Sequence, residues 1–209
     1  MKSFDYYFFD FDGTLVDSYD SLEYVFEKAY SLVGITVPKG FTLRLMRVPL
    51  SVGYKELHAP ETEEAYKVFG EAIIRLLDDP HALKLTKVYS DTIETLNTLK
   101  QSGKKLGIVT SNNQKHVREV LHYLGIDENI FELIVGNKEV KKHKPNPDPI
   151  YKGMEILGLS DKSKICYVGD GLDDMRCAVN AGVTPILIDR RNEYTNECEN
   201  LIKGLKELL

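Results

Sequence analysis

The 209-residue chain carries Asp10-Phe11-Asp12-Gly13-Thr14 directly behind the apolar run Tyr6-Tyr7-Phe8-Phe9. In extended backbone, two acids two residues apart start on one face of the chain. Gly13 then lets the backbone turn sharply and leaves its N–H accessible. A second acidic group, Asp170 with Asp173 and Asp174, follows the apolar run Ile165-Cys166-Tyr167-Val168-Gly169. If those two strands are neighbours, carboxylates packed so closely cannot all stay ionised without a cation. Hard oxygen donors with room left for water favour Mg2+ over zinc or copper. The acids therefore read as a metal site.

Two other segments complement that negative charge. Thr110-Ser111-Asn112 follows the apolar run Leu106-Gly107-Ile108-Val109 and precedes a helix from about Gln114 to Leu124. Hydroxyls and free N–H groups at a helix start form an anion-binding corner. Lys144-Pro145-Asn146-Pro147-Asp148-Pro149 lies in a loop beyond a third strand, with Asn146 or Asp148 expected as the N-cap of the next helix. Lys144 is the candidate counter-charge. Singly, each segment also reads as an acidic turn, an ordinary helix cap or a solvated lysine. Their shared placement behind apolar strands argues for a common site.

The elements that must position these residues are short unbroken apolar runs: YYFF, KLGIV, ELIVG, KICYVG and TPILI. Such runs are what parallel strands buried on both faces look like. Helical periodicity lies between them, as in Val117, Val120 and Leu121, or in Ile150, Gly153, Met154 and Leu157. Strand and helix alternate, which gives an α/β class with a doubly wound, Rossmann-like parallel sheet whose ligands bind at the carboxyl ends of the strands. From Leu15 to about Thr86 no buried-strand run occurs, and apolar positions such as Leu22, Val25, Phe26 and Ala29, or Phe69, Ala72, Ile73 and Leu76, follow helical spacing. Residues 15–86 therefore form an expected helical insertion, with residues 1–14 and 87–209 as the α/β core. Cys198, Leu201, Ile202, Leu205 and Leu208 predict a closing helix, with Lys203 and Lys206 outside its apolar stripe.

Composition narrows the function classes. Hydrophobic residues make up 43% and charged residues 28%, enough for a sizeable core. The net charge of -5 offers no basic footprint for nucleic acid or an anionic membrane. It does not exclude an anionic substrate, because a bound cation reverses the sign locally. No apolar run reaches bilayer length, and Asp5 and Asp10 interrupt what a signal peptide would keep apolar, so a cytoplasmic address is expected. The 3 cysteines lack CxxC spacing and the 5 histidines form no paired-ligand motif, which leaves zinc unsupported.

Taken in order, Asp10–Thr14, Thr110, Lys144, and Asp170 with Asp174 resemble the four motifs of the haloacid dehalogenase superfamily, in particular its phosphatases with a helical cap inserted after the first motif. The phrases DGTLVDS, HKPNPDPIYKGMEILGL and YVGDGLDDMRCAVNAG are similar to the branch of phosphoglycolate phosphatases and pyrophosphatases. The resemblance implies a strand order of 5-4-1-2-3, which sets Asp10 beside Asp170. It implies Asp10 as nucleophile, Asp12 as general acid and base, and Thr110 and Lys144 as holders of the phosphoryl group, with Gly13, Ser111 and Asn112 contributing contacts. Mg2+ would be held by Asp10, the Asp12 carbonyl and Asp170, with Asp174 behind them or orienting Lys144. The implied partner is a small phosphorylated metabolite, chosen by the insertion, and the chain would act as a monomer or homodimer. Arg44, Arg47 and Lys55 are the candidate contacts there, and Arg47 stands where the family commonly has glycine. Gly171 likewise stands where serine or threonine is common. A phosphomutase and a phospho-accepting regulatory module are the alternative functions.

Overall fold

Each apolar run is a strand, and each strand delivers its C-terminal residues to one edge of a parallel sheet. The computed structural model describes residues 2–195 and 197–209. Along the chain stand β1 (Tyr6–Phe9), β2 (Val16–Asp17), α1 (Tyr19–Ser31), α2 (Thr42–Met46), α3 (Leu50–Glu56), α4 (Glu63–Leu77) and α5 (Pro80–Leu85). They are followed by β3 (Lys87–Val88), α6 (Thr92–Gln101), β4 (Lys105–Val109), α7 (Gln114–Tyr123), β5 (Phe131–Val135) and α8 (Asp148–Leu157). The last elements are β6 (Ile165–Gly169), α9 (Leu172–Ala181), β7 (Thr184–Ile188) and β8 (Leu201–Ile202). The chain forms two units, Met1–Asp17 with Val88–Leu209, and Ser18–Lys87.

In the first unit the sheet order is β5-β4-β1-β6-β7-β8. Every pairing in it is parallel. Numbered in chain order, the five long strands stand in the expected 5-4-1-2-3 arrangement, and β8 is added outside β7. Strand β1 is central, and its Tyr7, Phe8 and Phe9 are buried, which explains the absence of polar alternation. Phe8 packs with Leu133, Tyr167, Ile150, Met154, Cys177 and Ala178, the last four from α8 and α9 on one side of the sheet being Ile150, Met154, Cys177 and Ala178. Its ring occupies space left by two glycines: a Cβ on Gly107 would stand 3.0 Å from Phe8 Cδ1, and one on Gly153 would stand 3.1 Å from Phe8 Cε2. The winding reverses at β1, since the chain runs outward through β4 and β5 and then returns to β6 on the other flank. A crevice at the strand C-termini is the consequence.

The chain end departs from the sequence reading. Leu201, Ile202, Leu205 and Leu208 do not share a helix: the first two form β8, and Leu205–Leu208 is a 3-10 turn. Without β8, the N–H groups of Leu187 on β7 and of Asp189 just after it would face an open sheet edge. They donate instead to the carbonyls of Asn200, at 2.9 Å, and Ile202, at 2.8 Å. Spacings of three and four fit a helix, yet a two-residue strand followed by a turn places the same residues inward. The N-cap of α8 also differs, being Pro147 with no side-chain cap, while Asn146 donates its amide to the His143 carbonyl. Two short strands, β2 and β3, bound the stretch expected to be wholly helical, and they pair with each other as a two-stranded sheet.

The second unit contains α1 to α5 around Val25, Phe26, Tyr30, Tyr54, Phe69 and Ile73. The Tyr30 and Tyr54 rings lie 4.6 and 4.9 Å from that of Phe69. Thr62 caps α4 by accepting from the Ala65 N–H, and Asp79 caps α5 by accepting from that of His81. Among the described residues, no helix is long and apolar enough to cross a membrane.

Candidate active site

Register alone brings the first and fourth motifs together. Phe9 stands opposite Ile108 on β4 and Val168 on β6, so Asp10 lies within one residue of the level of both Thr110 and Asp170. The ladder continues one step past the strands, with Asp10 N–H donating to the Val168 carbonyl at 2.8 Å and Thr110 N–H to that of Val135 at 2.9 Å. Backbone pairing thus fixes the base of both functional side chains.

Lys144 enters this crevice from the loop before α8. Its ammonium donates to Asp10 Oδ1 at 2.9 Å, Asp174 Oδ1 at 2.7 Å and the Tyr167 hydroxyl at 3.2 Å. The Tyr167 hydroxyl lies 2.7 Å from the Val109 carbonyl, to which it donates. Burial by itself pulls Lys144 toward its neutral form, but Asp10 and Asp174 outweigh it and raise its pKa. Asp10 is pushed well above the usual carboxylate range, first by burial and then by the charges of Asp174 and Asp170, against the opposing pull of Lys144. One cation among three acids leaves excess negative charge in a dry site.

The donor set fits a small, hard divalent ion. Asp10, Asp170 and Asp174 each offer a carboxylate oxygen, all within 4.8 Å of one another. Gly13 lies against this cluster with φ +76°, and a Cβ there would stand 2.6 Å from Asp170 Oδ2. The turn therefore needs glycine for both its conformation and the space of the Asp170 carboxylate. Asp174 is already engaged, with Oδ1 accepting from Lys144 and lying 3.1 Å from the Tyr167 hydroxyl, and Oδ2 accepting from the Gly171 N–H at 3.0 Å. It orients Lys144 and closes the start of α9. Asp173 points elsewhere, into an ion pair with Arg176.

Thr110 is buried at the end of β4, and Ser111 is exposed beside it. Asn112 donates from Nδ2 to Asp12 Oδ2 at 3.2 Å and from its N–H to Thr110 Oγ1 at 3.1 Å. It ties the second motif to the first. Asn113 serves as N-cap of α7, its Oδ1 accepting from the His116 N–H. Gly136 stands under this loop, where a Cβ would meet the Asn112 carbonyl at 2.7 Å and the Gln114 nitrogen at 2.8 Å. Arg47 is the C-cap residue of α2 in the helical unit, Arg44 forms a two-pronged ion pair with Glu56, and Lys55 is exposed. Sequence reading passed over Tyr167, Gly136 and Arg190. A phenol within an otherwise apolar strand was the available signal for the first.

Comparison with known proteins identifies the family of the chain. A family model described as haloacid dehalogenase-like hydrolase matches residues 7–188. The chain is 32% identical over 210 residues to pyrophosphatase PpaX of Halalkalibacterium halodurans, covering 96% of this chain and 93% of that protein. It is 31% identical to a phosphoglycolate phosphatase of Aquifex aeolicus, over 86% of this chain and 82% of the relative. A solved haloacid dehalogenase-like family hydrolase from Streptococcus pneumoniae has the same fold, with a TM-score of 0.83 at 20% identity over 100% of this chain and 98% of that one. Since the matched span runs from β1 through β7 and takes in all four strand-end motifs, the chain belongs to the haloacid dehalogenase-like hydrolases.

Proposed function

We propose that the protein is a Mg2+-dependent phosphatase that hydrolyses a small phosphate monoester through an aspartyl-phosphate on Asp10. The observation that carries this reading is the buried Lys144 ammonium shared between Asp10 and Asp174, with a second acid, Asp12, two residues beyond the nucleophile. An Asp10 oxygen attacks phosphorus while the bond from phosphorus to the leaving oxygen breaks, and Asp12 gives that oxygen its proton. Water then gives a proton to Asp12 and attacks the same phosphorus, which breaks the bond to Asp10 and releases inorganic phosphate. Lys144 and Thr110 hold phosphoryl oxygens in place with the Ser111 N–H, whereas the Gly13 N–H, expected to be accessible, is engaged by the Val16 carbonyl at 2.8 Å. The Mg2+ that Asp10, Asp170 and the Asp12 carbonyl would hold supplies charge neutralisation at those oxygens.

The core residues recognise only the phosphoryl group, so choice of leaving group falls to the helical insertion, residues 15–86, with Arg47 as its candidate contact. Relatives named phosphoglycolate phosphatase and pyrophosphatase make 2-phosphoglycolate and pyrophosphate the first substrates to try. Release of inorganic phosphate from these and from p-nitrophenyl phosphate, with Mg2+, tests the reading. Many turnovers are expected, and Asp10→Asn should lower kcat by more than the roughly 10²–10⁴-fold of lost acid–base help alone. One stoichiometric phosphorylation without turnover would favour a regulatory module. Undiminished turnover in folded Asp10→Asn would remove the nucleophile from the account.

A further inference from the structure

The turn that follows Asp12 belongs to no helix or long strand. It is a tight loop in which Gly13 N–H donates to the Val16 carbonyl at 2.8 Å and Asp12 bridges to Val16. The buried Thr14 hydroxyl makes no hydrogen bond, so the loop is not held through that side chain. Its carbonyls are gripped instead. Arg190, 176 positions away, donates from Nε at 3.2 Å and from Nη2 at 2.9 Å to the Thr14 carbonyl. The next carbonyl, of Leu15, accepts from Thr92 Oγ1 at 2.8 Å.

Arg190 is itself fixed on three sides. Its other N–H bonds reach Asp91 Oδ2 and Oδ1 at 3.3 and 3.1 Å, and its guanidinium carbon lies 3.7 Å over the Tyr89 ring. Asp91 is in turn held by the Leu205 N–H at 2.7 Å. The Arg190 and Asp91 side chains are only 10% and 14% exposed, so this is a sheltered network rather than a surface ion pair. A planar five-donor fork can put two N–H bonds on the carbonyl and two on the carboxylate in one fixed geometry, which a single ammonium nitrogen with three donors cannot reproduce.

We propose that Arg190 is a positioning residue for Asp12: by clamping the Thr14 carbonyl it sets where the general acid stands relative to the leaving oxygen. The inference rests on the phosphatase reading above. Proton donation tolerates little misplacement, and Asp12 has its other side-chain anchor in Asn112. The clamp touches neither Asp10 nor Lys144, so its loss falls on leaving-group protonation and not on phosphoryl binding.

Leaving-group dependence of kcat/KM tests this. p-Nitrophenolate departs without a proton, whereas phenolate and alkoxides need one. Arg190→Lys is expected to lose about tenfold or more in kcat/KM on phenyl phosphate and under about threefold on p-nitrophenyl phosphate. In an Asp12→Asn background the same substitution should add almost nothing, because the group it positions is gone. Thr92→Val, a milder loosening of the same turn, should show the same bias toward phenyl phosphate, and it carries the test if Arg190→Lys does not fold. Equal losses on both substrates, or full additivity with Asp12→Asn, would overturn the inference while leaving the phosphatase reading intact. Absence of any turnover by the wild-type protein would overturn both.

Discussion

Lys144 and Asp10, 134 positions apart, meet as a buried ion pair with 2.9 Å between Nζ and Oδ1, and their side chains are 8% and 10% exposed. The pair joins the loop before α8 to the end of the central strand. The same ammonium reaches Asp174, so removing it would strand two acids in a dry site. Lys144→Met should therefore destabilise the fold by about 3–5 kcal/mol, the usual result of stripping one partner from a buried charge cluster. Urea unfolding in metal-free buffer would show it as a lower midpoint with an unchanged m-value. A midpoint equal to that of the wild type would mean that the acids are neutral without Lys144.

Metal binding should stabilise the same cluster. Mg2+ is expected to raise Tm progressively with concentration, by the equivalent of about 2.7 kcal/mol at a hundredfold excess over Kd. Asp170→Asn, which removes an oxygen close to Asp10 and Gly13, should weaken that response. Thermal scans across a Mg2+ series, with and without chelator, measure both. A flat wild-type response would count against the site.

The sheet and its catalytic edge were legible because each chemical residue follows an unbroken apolar run. Asp10, Thr110 and Asp170 need only strand register to meet. What sequence reading could not reach were contacts made across the chain by residues with no pattern of their own. The bond from the Asn112 amide to Asp12 is one such contact, made in a loop that Gly136 allows to sit low. Arg190 is one charge after a strand until Thr14, Tyr89 and Asp91 surround it. The C-terminal residues misled for another reason. Leu201, Ile202, Leu205 and Leu208 carry a helical spacing, but the open edge of β7 recruits the first two as a strand.

Gly136 offers a sharp test of that loop. Its absent Cβ is what lets the backbone of Asn112 and Gln114 approach, and backbone cannot move aside as a flexible side chain can. Gly136→Ala should cost about 1–3 kcal/mol of stability through overpacking. It should also lower kcat/KM more on phenyl phosphate than on p-nitrophenyl phosphate, because the displaced loop carries the Asn112 bond to Asp12. Denaturant titration and steady-state kinetics on the same preparation would separate the two effects.

Acid should weaken the β7 end of the sheet through Asp189. Burial pushes this carboxyl up, but Lys203 Nζ at 2.6 Å and the N–H groups of Glu193 and Tyr194 outweigh it and hold its pKa below the ordinary value. A depressed folded-state pKa adds stability above the unfolded value, about 4, and that stability is lost as pH falls through the lower folded value. Wild-type protein should accordingly lose more stability than Asp189→Asn between pH 6 and pH 3, as read from urea midpoints at each pH. Parallel curves would exclude the carboxylate as a source of acid sensitivity.

A phosphoryl group carried by Asp10 during turnover would be seen directly by acid-quenched peptide mass spectrometry. Asp12→Asn should be slow to release the phosphoenzyme, so mixing it with excess p-nitrophenyl phosphate and Mg2+ and quenching in acid should leave one phosphoryl group on the peptide that contains Asp10, labile to base. The Asp10→Asn, Asp12→Asn double variant should show none. Phosphate found on another residue, or equal labelling of the double variant, would contradict the central claim.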